Sequence, residues 1–408
     1  MKQSKAQREE SPDAKSDVLS GVRIARISTV PFFVVTQLRR QIGLLSESGA
    51  LVTVVTSKGP ELASLETLPG VACTTIDIPR SISPWRDLLA LIRLFVFFRR
   101  GNIDIAHSTT PKAGLLTAVA GFLAGVPIRL HTFTGQPWLS MRGPKRAIAR
   151  GSDWLVGKLN TRCYADSQSQ RQFLVEQGVI DAKQLTVIGT GSLAGVDMER
   201  FNPERFSNQE RDTVRRLLAI PASSAVLLFV GRITADKGVR ELLDAFRELK
   251  AAGSNAHLVF VGHFDTDSGV NAGIARSDIE DVQDAHIVGY TECPEAYMSI
   301  ADILCLPSYR EGFGTVVIEA AAMGVPTVGT DIYGLSDAVV NGETGVLVPP
   351  RDSVALAGAL SGLLADEKRR AEMGYAARQR AEELFGSNKV NRMLIEEYRH
   401  LLDLRKVH

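Results

Sequence analysis

Two carboxylates, Glu311 and Glu319, stand on either side of Gly312-Phe313-Gly314. The first follows an apolar run, and the second lies on a helix-like segment that starts at Thr315. Glycines let backbone pass close to a ligand, and free N–H groups at a helix N-terminus attract anions. A carboxylate on the first turns of that helix could accept both hydroxyls of a sugar diol. The spacing therefore predicts a site for a molecule with sugar and phosphate, although Glu319 could instead only favour the helix dipole.

A second turn supplies positive charge to the same half of the chain. Gly231-Arg232 ends an apolar run, and Lys237 begins the next helix-like segment. Because both turns follow predicted strands, they should meet at the carboxyl edge of one parallel sheet. Arg232 and Lys237 could then neutralise a diphosphate leaving group, although solvated surface charge is the usual role of such residues. Tyr290 follows another predicted strand and is interpreted either as part of a base pocket or as a packing residue at its rim.

Candidate residues in the N-terminal half follow two predicted strands, at 103–107 and 126–131. These strand ends would place His107 and His131 at the sheet edge, where each imidazole could donate to a hydroxyl or phosphate. A structural role for each histidine is the alternative. The residues assigned to the acceptor side are His107, Lys112, Thr134 and Gly135.

Two further motifs suggest cofactors, but neither is favoured. Asp265-Thr266-Asp267 looks like a metal-binding DxD motif, and its Gly/Ser/Asn-rich context favours a plain surface turn. Residues 189–194 match GxGxxA, but a linker follows them where a dinucleotide site needs a helix. The 4 cysteines show no metal-ligand spacing and fit a reducing compartment. We therefore expect neither a metal nor another cofactor.

Alternating strand and helix patterns run through the 408 residues, interrupted by a polar segment at 195–210. This alternation predicts an α/β fold with two Rossmann-like, doubly wound parallel sheets that face a central cleft. The expected divisions are a disordered tail at 1–19, an N-terminal domain at 20–200 and a C-terminal domain at 201–387. A final helix at about 388–408 is expected to pack back on the N-terminal domain.

Charge is unevenly distributed, although the formal net charge is only +1. Residues 1–200 contain 25 Lys+Arg and 16 Asp+Glu, whereas the remainder contains 22 and 30. Segments 85–100 and 143–158 combine basic and apolar residues, which predicts peripheral contact with an anionic membrane. A buried core helix with snorkelling ends is the alternative. No nucleic-acid motif, signal peptide or membrane-spanning apolar run is found, so we expect a cytoplasmic protein at the inner face of the membrane.

The stretch PSYREGFGTVVIEAAAMGVPTVGTDIYGLSDAVVNGETGVLVPP resembles the signature of retaining family-4 glycosyltransferases, which have the GT-B fold. GRITADKG, from Gly231 to Gly238, is similar to the family's Arg and Lys pair, and GVDMERFNP to its interdomain linker. HSTTPKAG and HTFTGQPW are similar to bacterial members that build O-antigen, capsule or lipid-linked glycans. The likeness covers nearly the whole chain from about residue 20.

The resemblance implies a role for each matching position. Arg232 and Lys237 would hold the donor diphosphate, and Glu311 and His131 would lie at the donor sugar. Glu319 would bind the ribose hydroxyls. The remaining donor-side positions are Gly231, Tyr290, Gly312, Phe313, Gly314 and Thr315. Two positions depart from the family pattern: residues 28–33 replace a Gly-Gly loop, and Asp337 is shorter than the usual glutamate of Gly-x-x-Glu.

The resemblance implies a transferase that moves a sugar, expected to be UDP-linked hexose or N-acetylhexosamine, to a lipid-linked or polysaccharide acceptor. The donor would bind the C-terminal domain and the acceptor the N-terminal domain. Two alternatives stay open from the residues alone. One is a GT-B epimerase that acts on UDP-sugars without an acceptor, and the other is an inactive relative that serves as an assembly partner.

Overall fold

Two parallel sheets with helices around them form the protein, described by a computed structural model over residues 18–264 and 273–406. The first sheet has the strand order β3-β2-β1-β4-β5-β6-β7, and the second has the order β10-β9-β8-β11-β12-β13. Ile27 lies beside Ser108 in the first sheet, and Leu304 beside Leu228 in the second. The predicted pair of doubly wound parallel sheets is therefore confirmed.

Among the described residues, the N-terminal half contains the first seven strands and seven α-helices. The strands are β1 (Arg23–Ile27), β2 (Leu51–Thr56), β3 (Val71–Thr75), β4 (Ile105–Ser108), β5 (Ile128–Phe133), β6 (Arg162–Ala165) and β7 (Leu185–Val187). The helices are α1 (Pro31–Phe33), α2 (Arg39–Glu47), α3 (Ala63–Glu66), α4 (Pro84–Gly101), α5 (Pro111–Ala124), α6 (Gly143–Leu159) and α7 (Gln168–Glu176).

The C-terminal half contains the other six strands and nine helices among the described residues. The strands are β8 (Val226–Val230), β9 (His257–Val261), β10 (Ala285–Gly289), β11 (Ile303–Leu306), β12 (Thr327–Thr330) and β13 (Gly345–Val348). The helices are α8 (Asn208–Leu217), α9 (Val239–Ala251), α10 (Arg276–Glu280), α11 (Pro294–Met298), α12 (Thr315–Ala322), α13 (Leu335–Ala338), α14 (Ser353–Ala365), α15 (Glu367–Arg380) and α16 (Ser387–Lys406).

The central strands of the first sheet are buried on both faces. Ile24 packs into one hydrophobic cluster, and the next residue, Ala25, packs into another. Neighbouring residues of a strand point to opposite faces, so the two clusters lie on opposite sides of the sheet. The second sheet follows the same rule, since Val226, Leu227, Leu228 and Phe229 of β8 are all fully buried.

The last helix, α16, leaves the C-terminal half and packs on the N-terminal one. Leu394 and Tyr398 belong to the same core cluster as Ile24 of β1. The Tyr398 hydroxyl accepts a hydrogen bond from Arg26 Nη1 at 3.1 Å. Side chains separated by 372 positions thus form one polar contact inside the core.

Several predicted boundaries differ from the structure. β5 continues past His131 to Phe133, because Thr132 and Phe133 pair with β6. Between α1 and α2, the chain forms a π-helical turn at Val34–Leu38. Leu19, assigned to the tail, is buried in the core, and the tail residues 1–17 lie outside the described residues.

None of the helices within residues 18–264 and 273–406 combines the length and apolar character needed to cross a bilayer.

Candidate active site

The candidate site lies at the carboxyl edge of the second sheet, between β8 and β11. These strands are neighbours, although β9 is the strand that follows β8 along the chain. The strand order reverses at this point, and the crevice beyond such a switch point is where open α/β sheets bind ligands. The turn after β8 carries Arg232 and Lys237, and the turn after β11 carries Glu311. The two turns selected from the sequence are thus adjacent.

Lys237 and Glu311 form an ion pair at this edge. Lys237 Nζ lies 2.5 Å from Glu311 Oε1, and the Ser308 hydroxyl donates to the same oxygen at 2.8 Å. The two side chains are only 17% and 13% exposed, so water screens the pair less than it screens a surface ion pair. A cation and a carboxylate therefore lie side by side, as recognition of a phosphate next to a sugar hydroxyl requires.

Asp236, which the sequence motifs did not reveal, organises the positive charge of the site. Its carboxylate accepts from the Thr234 hydroxyl at 2.6 Å and pairs with Arg310 at 2.9 Å. Burial favours the neutral form of this carboxyl, but the Thr234 hydrogen bond and the charges of Arg310, Lys237 and Arg232 outweigh burial and lower its pKa. Three cations surround one carboxylate, which leaves a local positive field that suits a phosphate.

Glu319 lies on the second turn of α12 and is partly buried. Burial raises the pKa of its carboxyl to about 7; the charge of Arg200 opposes this change, and Glu295 adds to it. Arg200 itself forms a bidentate pair with Glu295, at 3.1 and 2.8 Å. The linker between the halves therefore contributes a charged residue to the surroundings of Glu319. In sequence, this segment resembles a plain connection, and no motif marks Arg200.

The three residues after Glu311, Gly312-Phe313-Gly314, are buried and lead into α12. Gly314, at φ +87°, is the N-cap residue of α12, which begins at Thr315. The Phe313 side chain is 2% exposed and packs against Phe385, with ring centroids 5.1 Å apart. Phe313 can thus offer a ligand only its backbone.

Tyr290 follows β10 and is 51% exposed. The ring of Phe32, from the N-terminal half, meets Tyr290 edge-on at 5.2 Å and His263 at 6.2 Å between centroids. The two halves therefore touch through aromatic rings at this end of the cleft. Tyr290 packs against Phe32 and still presents half of its surface to the outside.

Thr134 and Gly135, assigned to the acceptor side, face the loop that carries Glu311. A Cβ added to Gly312 would lie 2.8 Å from the Thr134 carbonyl carbon. One added to Gly135 would lie 3.6 Å from the Gly312 nitrogen. Backbone from the two halves thus approaches closely at this point, and residue 312 has room only for glycine.

His131 is corrected by the structure, because it lies inside β5 and not at its end. The side chain is 1% exposed, and Nδ1 lies 2.9 Å from Ser108 Oγ. Its ring packs against α5, where a Cβ added to Gly114 would lie 2.5 Å away. Burial lowers the pKa of His131 to about 3, so the imidazole is neutral. These contacts place His131 in the packing of β5 on α5, and its expected role at the donor sugar stays a prediction.

His107 is corrected in the same way. Nδ1 lies 2.5 Å from the Tyr398 hydroxyl and Nε2 lies 2.7 Å from Thr132 Oγ1, so both ring nitrogens bond inside the core. Burial, with Arg26 and His131 nearby, lowers the pKa of His107 well below its ordinary value. The structural alternative holds for this residue.

Lys112, the remaining acceptor-side candidate, pairs with Asp87 of α4 at 2.6 Å. It also donates to the Ser81 carbonyl. The ion pair is about four-fifths buried, with the side chains 18% and 20% exposed.

Asp166 is a second carboxyl that the sequence analysis missed. It follows β6 and is 7% exposed, and burial raises its pKa to about 8. Oδ1 has no hydrogen-bond partner among the described residues, and Oδ2 lies 2.9 Å from the position of a Cβ on Gly312. The available signal was an acidic residue at the end of the apolar run that forms β6.

No group of three or more His, Cys, Asp or Glu side chains is arranged to hold a metal ion within residues 18–264 and 273–406. The Asp265-Thr266-Asp267 motif lies outside the described residues. Residues 189–194 are followed by irregular backbone, and the next α-helix begins at Asn208. The GxGxxA match thus lacks the helix that a dinucleotide site requires.

Both halves of the chain match models of known families. Residues 34–191 match a glycosyl transferase 4-like domain, and residues 210–380 match the glycosyl transferases group 1. The capsular polysaccharide biosynthesis glycosyltransferase CapM of Staphylococcus aureus is 30% identical over 357 residues, 86% of this chain and 90% of that protein. A D-inositol 3-phosphate glycosyltransferase of Rhodococcus erythropolis is 31% identical over 73% of this chain and 68% of its own length.

A further relative and a solved structure extend this result. The UDP-Gal:alpha-D-GlcNAc-diphosphoundecaprenol alpha-1,3-galactosyltransferase of Escherichia coli is 25% identical over 67% of this chain and 69% of that protein. HepE of Anabaena, solved with UDP and glucose, superposes with a TM-score of 0.78 at 18% identity, covering 92% of this chain and 99% of that one. With the two family matches and the coverage of CapM, these findings establish that the chain is an enzyme of the family-4 glycosyltransferases with the GT-B fold.

Proposed function

We propose that this enzyme transfers a sugar from a UDP-sugar to a lipid-linked saccharide in surface glycan biosynthesis, with retention of anomeric configuration. The observation that carries the proposal is the Lys237–Glu311 pair at the β8/β11 switch point, with Arg232 and Arg310 around the same Asp236. The oxygens of a bound diphosphate would replace the carboxylates as the partners of these cations. Glu311 would then be free to accept from a sugar hydroxyl.

In this reaction, the bond between the anomeric carbon and the diphosphate oxygen breaks, and a bond to the acceptor oxygen forms on the same face. The proton of the acceptor hydroxyl passes to the leaving phosphate oxygen. Lys237 and Arg232 stabilise the negative charge that develops on the diphosphate, and removing one such donor typically costs about 3–4 kcal/mol of transition-state stabilisation. No residue of the chain needs to act as a nucleophile, and no metal is assigned a role.

The remaining donor contacts follow from the geometry of α12 and its loop. The Gly312-Phe313-Gly314 backbone would donate N–H groups to sugar and phosphate, and Glu319 would accept from the ribose hydroxyls. Its pKa of about 7 means that a diol, which stabilises the carboxylate by hydrogen bonding, would favour proton release on binding. Exposed Tyr290 would border the base.

A lipid-linked acceptor is supported by exposed apolar side chains on neighbouring helices of the N-terminal half. On α4, Trp85 is 79% exposed and Leu89 is 51% exposed. α4 packs on α5, and α5 packs on α6, where Ile148 is 60% exposed. Basic residues lie within the same segments, 85–100 and 143–158. We propose that this surface contacts anionic lipid at the cytoplasmic face of the membrane, which would bring the acceptor to the cleft.

The decisive experiment screens nucleotide sugars by thermal shift and then assays transfer with the donor that binds. The acceptor panel contains a polyprenyl-diphosphate saccharide and a soluble inositol phosphate, the class suggested by the name of the Rhodococcus relative. NMR of the product reports the anomeric configuration, and a chelator arm reports metal dependence. Transfer to the lipid-linked acceptor with retention is expected. Transfer only to the inositol phosphate would overturn the acceptor assignment, and NMR on the donor alone would detect an epimerase.

A further inference from the structure

The carboxylate of Asp337, at the end of the altered Gly-x-x-Glu motif, accepts hydrogen bonds from the N-terminal half. Its Oδ1 accepts the backbone N–H of Gln168 at 3.1 Å, and its Oδ2 accepts that of Ser169 at 3.2 Å. The Ser169 hydroxyl also donates to Oδ2. These groups belong to the first turn of α7. The side chain of its N-cap residue, Ser167, accepts a hydrogen bond only from the backbone N–H of Gln170. Asp337 thus supplies, from 168 or more positions away in sequence, acceptors that the helix start otherwise lacks.

A direct chain of contacts leads from Ser169 to the loop of Glu311. The Ser169 hydroxyl accepts the Gly334 N–H at 2.8 Å. Gly334 has φ +86°, and a Cβ there would lie 2.7 Å from the Gly312 carbonyl oxygen and 2.9 Å from that of Glu311. The Ser169 hydroxyl therefore holds Gly334 in place. Gly334 packs tightly on Glu311 and Gly312, which belong to the loop between β11 and α12, called the donor loop below.

The preceding residue, Tyr333, reinforces the contact between the halves. Its hydroxyl lies 3.0 Å from Gln136 Oε1, and its ring stacks on Phe173 of α7 at 4.9 Å and 17°. Phe173 in turn stacks on Trp138 at 5.6 Å. The segment 333–337 is thus attached to the N-terminal half at both of its ends, with the donor loop packed on Gly334 between them.

From this geometry we propose that Asp337 and Ser169 are positioning residues that hold the cleft closed and place Glu311 and Gly312 for transfer. The proposal rests on the proposed function, because it concerns the same donor loop. The proposal also explains why an aspartate stands where the family pattern has a glutamate, because Asp337 on the short helix α13 reaches the first turn of α7. Neither residue needs to touch the donor or the acceptor, since the contact acts through Gly334.

The test compares Asp337→Ala, Ser169→Ala and the double variant with the wild type. UDP affinity, measured by calorimetry, should change by less than about twofold, because the diphosphate cations lie elsewhere in the C-terminal half. The turnover number should fall roughly 10- to 100-fold, as expected when reacting groups are misplaced. The double variant should be no worse than the worse single variant, because both changes break one contact. Small-angle scattering should show a larger radius of gyration for each variant.

Asp352→Ala is the matched control, because Asp352 Oδ1 accepts Ala355 N–H at 2.8 Å at the start of α14, within one half. It removes a helix cap of the same kind and should leave turnover and radius of gyration unchanged. Ser169→Thr, which keeps the hydroxyl, should restore most of the activity lost in Ser169→Ala. If Asp337→Ala does not fold, Ser169→Ala carries the test alone, since it removes a single hydroxyl.

Wild-type turnover in Ser169→Ala and Asp337→Ala, with UDP binding intact, would overturn the positioning role. Equal losses in the two variants and in Asp352→Ala would also overturn it, since they would reveal only a stability effect. Failure of the wild type to bind UDP or any UDP-sugar is a different result, because it would contradict the proposed function and not the contact itself.

Discussion

Lys237 Nζ lies 2.5 Å from Glu311 Oε1, although the residues are 74 positions apart in sequence. The contact exists because β8 and β11 are adjacent, so the turns that follow them share one sheet edge. Each residue partly compensates the charge of the other while no ligand is bound. Under the proposed function, the pair keeps the cation that would bind the diphosphate next to the carboxylate that would accept from the donor sugar.

Replacement of this lysine, Lys237→Ala, should lower the turnover number by roughly 10²–10³-fold, the usual effect of losing one donor to a developing charge. Folding should survive, because Glu311 is not completely buried and keeps the Ser308 hydroxyl. Steady-state transfer assays and circular dichroism measure the two effects. Lys250→Ala is the control, since Lys250 pairs with Asp284 at 2.6 Å with similar exposure but outside the site. Turnover near that of the wild type in Lys237→Ala would remove the diphosphate assignment.

Glu319→Gln should change how stability depends on pH. Burial raises the pKa of Glu319 in the folded protein from 4.5 to about 7. The folded state therefore binds this proton more tightly than the unfolded state, so the contribution of Glu319 to the free energy of unfolding falls as pH rises from about 4.5 to about 7. Glutamine does not titrate, so the variant should gain stability relative to the wild type across this window.

Urea unfolding of both proteins at about pH 4.5, 6 and 8 measures the difference in their free energies of unfolding. These values span the pH range over which Glu319 is expected to titrate. Asp153 and Asp166, whose pKa values burial raises to about 7 and about 8, titrate in both proteins, so their effect cancels in the comparison. A constant difference for Glu319→Gln would show that its carboxyl titrates normally.

Gly312→Ala should separate donor binding from transfer. The new methyl group would lie 2.8 Å from the Thr134 carbonyl carbon and 2.9 Å from Asp166 Oδ2, so the halves could no longer approach as closely. UDP affinity should fall only a few-fold, whereas turnover should fall about 10²-fold, as misplacement by ~1 Å can cause. Gly358→Ala is the control, because a Cβ there meets no atom within 4 Å. Undiminished transfer by Gly312→Ala would mean that catalysis does not need this close approach.

Trp85→Ser should weaken binding to anionic vesicles. Trp85 is 79% exposed on α4, and removing a large apolar side chain from a membrane contact costs about 1.5–3 kcal/mol, or roughly a 10- to 100-fold loss of partitioning. Flotation with phosphatidylglycerol-containing vesicles at low and high salt measures it, and salt should weaken wild-type binding. Tyr375→Ser, at a 68% exposed aromatic of the C-terminal half, should bind normally. Absence of wild-type flotation at low salt would contradict the membrane proposal.

The strand and helix pattern, and the adjacency of the Arg232–Lys237 turn to the Glu311 loop, could be predicted from local sequence. Apolar runs separated by Gly-containing turns indicate parallel strands, and functional turns collect at their carboxyl ends. The same reasoning failed at His131, because strand length is decided by pairing. Thr132 and Phe133 join β6 across the sheet, which moves the strand end beyond the histidine.

Contacts between the halves were beyond any local pattern. Asp337 was recognised as a shorter acid than expected, but nothing near it in sequence indicates that its carboxylate reaches the first turn of α7. Arg200 similarly occurs in a linker, and its pairing with Glu295 depends on how the second sheet is built. Such contacts join residues from separate elements, so their existence depends on the relative placement of those elements.

By itself, the sequence determined the two parallel sheets, the cation-bearing turn and the Glu311–Glu319 loop, because each follows from residue types at short spacing. Only the tertiary structure decided which polar side chains face the cleft, that His107 and His131 are core residues, and that Asp337 and Ser169 join the halves. The physical reason is that burial and hydrogen-bond partners are set by atoms from distant parts of the chain. A pattern within one segment carries no information about those atoms.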